Sequence, residues 1–197
     1  MGVKGGDRLK AKLEEIARMA GKADVVNVGF LEGATYPESE GGLPVAAVAA
    51  TQEYGGTITV PEHTTTINRD ITKSGDFKNG GKFAKASQAN YQTQHVVAEY
   101  TITIPARPYF RGMIAANKGD WGPQLGKIIK AANYDAGVAL GRMGANIQGQ
   151  LQQSIRDMKD PPNAKSTVRQ KGFDDPLIKS GHMLNSVDWE VKDKGGE

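Results

Sequence analysis

Apolar residues recur at helical spacing near the start of the chain and again over its last third. In residues 7–20, Leu9, Leu13 and Ile16 share one face, which predicts an amphipathic helix. A second, longer pattern in residues 134–158 predicts a helix that begins after Asn133 and ends before two prolines. Its apolar face is formed by Leu140, Met143, Ile147, Leu151, Ile155 and Met158.

Between and after these helices the pattern changes to short apolar runs. Residues 25–31 ("VVNVGFL") and 186–191 ("SVDWEV") each predict a strand. Pro44 opens a short alanine-rich helix that Gly55 ends. A further short helix is predicted in residues 120–133.

Two nearly identical runs, "TITVP" at residues 57–61 and "TITIP" at 101–105, bracket a polar segment that is poor in core residues. Alternation of Thr with Ile or Val is typical of strands, so the runs are predicted to pair as the stems of a β-hairpin arm with a flexible tip. The alternative is two unrelated edge strands. One register allowed by the alternation places His63 opposite His95, where a bridging metal ion is conceivable.

These elements predict an α+β fold. A small, mainly antiparallel sheet is packed by the N-terminal helix and the long C-terminal helix, and an extended β-hairpin arm is added. The chain of 197 residues is expected to be a single domain, 1–197, with residues 61–99 as the inserted arm.

Composition narrows the possible chemistry. Because the chain has no cysteine, disulfides, thiolate metal sites and a cysteine nucleophile are excluded. No apolar run approaches the length of a membrane span. The net charge of +3 is weakly basic, which permits contact with nucleic acid without arguing for it.

No arrangement typical of an active site is found. The chain has no HExxH, GxSxG or Walker A motif, and no pair of carboxylates that suggests acid–base catalysis. We therefore expect a protein that is not an enzyme and that has neither a cofactor nor a metal.

The stretch "IPARPYFRG" is the most specific in the chain. Pro105 ends the strand and Pro108 restricts Arg107 to an extended conformation, so the guanidinium is held in a fixed direction. Such an Arg suits a bidentate carboxylate contact, within the fold or across subunits. Tyr109 and Phe110 can anchor under the following helix.

Two other sets of residues are candidate interfaces. The long helix has a face of small residues, formed by Gly137, Gly141 and Gly144. Because glycine destabilises a helix, its use at three positions suggests that another backbone approaches this face closely. On the arm, lysines alternate with aromatic residues, a combination that suits a nucleic-acid backbone or an acidic protein partner. The arm residues singled out are Phe77, Phe83, Lys82 and Lys85.

The order of motifs resembles the tailed-bacteriophage virion-morphogenesis and tail-completion family, which includes minor tail protein Z-like neck proteins. Three groups of residues carry the resemblance, over most of the chain except the arm. They are Glu53, Tyr54 and Gly55; then Ile104, Pro105, Arg107, Pro108, Tyr109 and Phe110; then Thr167, Lys171, Pro176, Leu177, Ser180, Gly181 and Met183.

The resemblance implies a structural virion protein, a neck or tail-completion subunit that forms a homo-oligomeric ring at the head–tail junction. Its implied partners are copies of itself, the phage connector or adaptor, and the tail terminator or tail tube, with no membrane. It would be assembled in the host cytoplasm and meet nucleic acid only by proximity to the DNA channel. The alternative is a nucleic-acid-binding accessory protein that uses the basic arm.

Overall fold

The computed structural model describes residues 6–21 and 25–192, and it divides the chain into two compact units. The first unit contains the residues up to Gly55 and those from Pro105 onward. The second is Gly56–Ile104. The first unit combines α-helices with a two-stranded antiparallel sheet, and the second is built from two such sheets, so the predicted α+β class is confirmed for the described residues.

The elements of the first unit are α1 (Gly6–Ala20), β1 (Val25–Phe30), α2 (Val45–Tyr54), α3 (Tyr109–Ala131), α4 (Ala136–Asp157), α5 (Lys165–Lys171), α6 (His182–Asn185) and β6 (Val187–Lys192). The elements of the second are β2 (Gly56–Val60), β3 (His63–Arg69), β4 (Tyr91–Val97) and β5 (Tyr100–Ile104). Short 3-10 turns occur at Glu38–Glu40 and Lys78–Gly81.

The core of the first unit lies between α4, α2, α3 and the antiparallel pair β1–β6, whose register sets Val28 opposite Trp189. The predicted face of α4 is confirmed, because Met143, Leu151 and Ile155 are buried. Asp135 begins this helix by accepting the Val138 N–H at 3.0 Å. The core cluster is Val45, Ala49, Tyr109, Met113, Leu151, Ile155, Leu177, Met183 and Val187.

Helix α3 begins earlier than its sequence predicts. The prediction started it at residue 120, whereas the helix starts at Tyr109 and runs through Pro123. Polar contacts with α4 support it on both sides of the proline, from Trp121 Nε1 to Gln150 Oε1 (2.9 Å) and from Asn146 to Gln124 (2.7 Å). These tertiary contacts offset the loss of a helical hydrogen bond at Pro123.

The second unit confirms that the two Thr-Ile runs pair as stems. β2 pairs with β5, with Ile58 opposite Ile102, and β3 pairs with β4. The register that brought His63 opposite His95 is wrong, because His63 lies opposite Val97. Pairing the two Ile residues gives both stems one common apolar face, and this fixes the register of the strands that follow.

The tip of the arm is more regular than the predicted flexible turn. The side chain of Asn90 bonds the backbone of Ile71 twice, accepting from its N–H at 2.8 Å and donating to its carbonyl at 2.7 Å. Lys78 pairs with Asp70 at 2.9 Å. These hydrogen bonds order the loop, although the composition of the segment predicts a flexible turn.

Candidate functional site

The end of α2 meets the start of α3 through one buried carboxylate. Glu53, which is only 4% exposed, accepts the backbone N–H of Phe110 at 2.9 Å and that of Arg111 at 3.2 Å. The first turn of a helix has N–H groups without helical partners, and the N-cap residue Pro108 offers no side-chain bond. The Glu53 carboxylate of α2 therefore caps α3. Its negative charge also interacts favourably with the positive end of the α3 helix dipole.

Arg111 joins the same contact from the solvent side. Its Nε donates to Glu53 Oε1 at 2.7 Å, and its guanidinium carbon lies 4.9 Å from the centre of the Tyr54 ring. The Arg111 side chain is 56% exposed, so this ion pair contributes modestly to stability.

Arg107 lies in the same corner and is 5% exposed. It donates from Nη1 to Gln52 Oε1 (2.8 Å), from Nε to the Pro161 carbonyl (2.9 Å) and from Nη2 to the Pro162 carbonyl (3.2 Å). The predicted bidentate carboxylate contact is therefore wrong. After α4 ends, the two proline carbonyls have no helical partner, and the guanidinium fork satisfies both.

Burial lowers the pKa of Arg107, and the negative charge of Asp174 acts in the opposite direction. The Asp174 carboxylate also accepts the backbone N–H of Asn163 at 3.1 Å and its side-chain amide at 3.0 Å. The guanidinium thus anchors the loop after α4 to the corner.

The aromatic pair that follows Arg107 anchors inside the first unit. Tyr109 is 1% exposed, and its hydroxyl donates to the Ala49 carbonyl at 3.1 Å. Burial raises the pKa of this phenol. The Phe110 ring packs beside Gly29, where a Cβ would stand 3.6 Å from the ring.

Sequence reasoning named Arg107 and Tyr109 but assigned no role to Gln52, Glu53 or Arg111. A signal for Glu53 was present. It follows Val45 and Ala49 at helical spacing, and all three are buried in α2. A carboxylate on the apolar face of a helix predicts a specific partner, since an unpaired buried charge is costly.

The part of the third motif group from Pro176 to Met183 borders a pocket of about 250 Å³. On its walls, the Ser180 hydroxyl donates to Glu40 Oε2 at 3.2 Å, while His182 Nε2 lies 2.9 Å from the Thr35 carbonyl. The imidazole ring is tilted against the Tyr36 ring, with the ring centres 4.8 Å apart. The hydroxyl and the imidazole therefore face different partners and do not form a nucleophile–base pair. The lining consists of Tyr36, Glu40, Leu43, Val48, Gln52 and residues 176–183.

Lys171 of this group fixes the loop before the pocket. Its Nζ donates to the Asp175 carbonyl, and Lys159 pairs with the carboxylate of the same Asp175. Burial lowers the pKa of Lys171, and the charges of Asp175 and Asp174 oppose that shift.

Two of the three helical glycines receive the β1–β6 pair. A Cβ at Gly144 would stand 2.8 Å from Val26 and 3.1 Å from the Trp189 ring, and one at Gly141 would stand 3.2 Å from that ring. The close neighbour of these glycines is thus supplied within the fold. At Gly137, a Cβ would stand 3.5 Å from the side chain of Asp135, its one neighbour within 4 Å among the described residues.

The arm residues lie together at the tip of the second unit. Arg69 stands between two rings, 5.7 Å from the centre of Phe77 and 5.6 Å from that of Phe83. Phe83 is still 79% exposed, and Lys82 and Lys85 are exposed beside it. Residues 69–91 carry five basic and two acidic side chains, a local charge of +3.

Over residues 6–21 and 25–192 no group of three or more His, Asp or Glu side chains is placed to hold a metal ion. His63 instead has its Nδ1 3.0 Å from the Pro61 carbonyl. In the same described part of the chain, no helix combines the length and the apolar character needed to cross a membrane.

No family model, curated protein or solved structure matches the chain. The resemblance to tail-completion proteins therefore rests on the sequence motifs alone.

Proposed function

We propose that the protein is a structural virion subunit of a tailed phage, a neck or tail-completion protein that forms a ring at the head–tail junction. The observation that carries the proposal is the meeting of the motifs. Glu53 caps the helix that starts in the Pro-x-Arg-Pro motif, and Gln52 both accepts from Arg107 and borders the pocket of the third motif.

The chemistry of this corner also suits a structural role. Its charged groups are engaged by backbone groups and by one another, as when Glu53 accepts two N–H groups and Arg107 donates to two carbonyls. Such groups hold segments in place, and their donors and acceptors are already used.

A second observation, in the other unit, supports assembly. The β2–β5 stems expose both faces, including Ile58 at 51% and Ile102 at 43%. An isolated two-stranded ribbon is only marginally stable in water, so such a ribbon gains from a partner. A ring of copies, with the connector or adaptor on one side and the tail terminator or tail tube on the other, would supply partners.

The test uses the phage that encodes the chain. We expect deletion of the gene to leave heads and tails that do not join into infectious particles, and the supplied chain to restore them. Electron microscopy of restored particles carrying a tagged chain should locate the tag at the junction, in several copies per particle. Infectious particles without the chain, or a tag elsewhere, would contradict the proposal.

An alternative is a nucleic-acid-binding accessory protein, which the basic tip with its exposed Phe83 favours. Phosphate binding weakens steeply as salt is added, because counterions are released. Titration of labelled single-stranded and duplex DNA at 50 and 200 mM salt, with a Lys82→Ala/Lys85→Ala variant as comparison, separates the two. Tight binding that falls with salt and with this variant supports the alternative.

A further inference from the structure

The stem ribbon, meaning β2 and β5 together, has one apolar and one hydroxyl face. Ile58 lies opposite Ile102 and Val60 opposite Tyr100, and these four side chains share a face. Threonines occupy the other face, as the pairs 57–103 and 59–101. Ile58, Tyr100 and Ile102 are each more than 40% exposed and the threonines are exposed too, so the described residues cover neither face.

The outer edges of the ribbon are also open to strand pairing. Within the described sheets each stem strand has a single neighbour, the other stem. In an antiparallel pair, alternate residues direct their N–H and C=O groups away from that neighbour. Edge strands are commonly protected by charges, prolines or bulges, yet residues 56–60 and 100–104 contain no charged residue and no proline.

The near-identity of the two stems identifies the strand that fits these edges. "GTITV" pairs with "YTITI" inside the chain, with Thr facing Thr and Ile facing Ile. The outer edge of β2 can accept the β5 strand of another copy in the same register. In this register, the residues of β2 whose N–H and C=O groups point outward lie opposite the corresponding residues of β5. All apolar faces then lie on one side, which makes the combined surface continuous.

We propose that the stem ribbon is a self-association surface, in which β2 of one copy pairs antiparallel with β5 of the next. This arrangement repeats the Val60–Tyr100 pair between copies, and aromatic pairs with β-branched residues stabilise strands. Pairing β2 with another β2 would set Val60 against Gly56, which has no side chain to pack. A second copy is the fitting occupant, because an uncharged edge offers nothing specific to an acidic or basic partner.

The contact is head-to-tail, so it closes into a ring or continues as a filament according to the rotation between copies. Only the closure into a ring rests on the proposed function. A five-residue edge gives few hydrogen bonds, so the pairing is weak for two free copies. It strengthens when neighbouring copies are held together, through a high effective concentration.

Because the chain has no cysteine, single cysteines can report the pairing. Full-length Thr59→Cys and Thr101→Cys variants are prepared separately, mixed at high concentration and oxidised mildly. We expect a disulfide-linked dimer in the mixture at least several-fold above either variant alone. Thr57→Cys mixed with Thr103→Cys is a second pair in the same register, used if a melt shows that a first variant is unfolded.

Two controls accompany the experiment. Lys118→Cys mixed with Lys127→Cys, both exposed on α3, measures random collision. Adding Thr57→Lys to the Thr59→Cys variant places a charge on the edge and should remove most of the mixed dimer while leaving the melt unchanged.

The other possible outcomes distinguish a failure of the β2–β5 pairing from a failure of the proposed function. Dimers from Thr59→Cys alone, or none above the α3 control, overturn the β2–β5 assignment. If sedimentation shows oligomers but no specific disulfide forms, the β2–β5 pairing is also overturned, whereas a ring built through another surface is not. A specific disulfide, in a chain that particle microscopy does not find at the head–tail junction, supports the pairing and contradicts the proposed function.

Discussion

The corner of the first unit and the stem ribbon of the second use their interaction groups in opposite ways. At the corner, Glu53 and Arg107 are at most 5% exposed and their polar atoms bond within the unit. On the ribbon, Ile58 and Ile102 remain about half exposed, and among the described strands each stem strand has one neighbour. The corner therefore stabilises the first unit, whereas the ribbon leaves apolar surface exposed.

This difference separates two kinds of motif. The Pro-x-Arg-Pro stretch looked like an interface device because it fixes an Arg, yet its Arg holds the loop at Pro161 and Pro162. The Thr-Ile repeat looked like a simple pair of stems, yet its outer edges are open. Substitutions at the corner should change stability, and substitutions on the ribbon should change association.

The largest expected effect on stability is at Arg107. Arg107→Ala removes a buried side chain and its three hydrogen bonds to Gln52, Pro161 and Pro162, which should cost about 3 kcal/mol of unfolding free energy. Arg107→Lys should lose about 2 kcal/mol, because an ammonium cannot reproduce the fork. Chemical denaturation of the isolated protein measures both.

Arg142→Ala is a matched control on the exposed side of α4 and should change the free energy of unfolding by less than about 0.5 kcal/mol. If Arg107→Lys unfolds like the unaltered protein, the corner does not hold the loop in the way described.

A smaller effect is expected inside α4, where two glycines differ in surroundings. Gly144→Ala places a methyl group 2.8 Å from Val26 and should destabilise by about 1–3 kcal/mol. Gly149→Ala meets nothing within 4 Å and should stabilise by up to about 1 kcal/mol. Changes of opposite sign in the melting temperature would support the packing of β1 and β6 on this helix, and changes of equal sign would argue against it.

A local effect is expected at the β1–β6 pair. The Asn27 amide donates to Glu190 Oε1 at 3.0 Å and is the main cause of the lowered pKa of this carboxyl. The bond favours the charged form, so its contribution to stability is lost as pH falls through the folded-state pKa, below the ordinary value of 4.5. In Asn27→Ala the pKa of Glu190 should rise, as NMR titration would show; an unchanged pKa would rule out this bond.

The smallest effect on stability should come from the largest deletion. Thr65 lies opposite His95, so residues 66–94 can be replaced by a two-residue Asn-Gly turn that suits a hairpin. The first unit should then melt cooperatively at an unchanged temperature, since its core residues lie outside the arm. Rescue of the deletion phage should fail. A lower melting temperature would show that the arm supports the first unit.

Much of the fold could be predicted because it follows local patterns. The face of α4 and the strands β1 and β6 each follow from residues that are close to one another in sequence. The pairing of the stems could be predicted because two distant runs repeat the same alternation. The start of α3 could not be predicted, because its cap, Glu53, comes from a residue 57 positions earlier. The acceptors of Arg107 were missed for the same reason, since Pro161 lies 54 positions away.

The register of the stems shows what the alternation of residues in a strand can and cannot predict. Alternation decides which face is apolar but allows registers that differ by two residues. The expectation for His63 and His95 rested on one of these, and pairing Ile58 with Ile102 rather than with Tyr100 removed it. A one-strand pattern cannot make that choice, because the choice depends on both stems together.

Amide hydrogen exchange, resolved along the chain, tests the central claim most directly. It is measured on the isolated protein and on assembled particles. In the isolated protein we predict fast exchange for the outward-facing amides of residues 56–60 and 100–104 and slow exchange in α4. In particles the stem amides should become protected, while α4 remains as it was. Stem amides that exchange equally fast in both states would contradict the account.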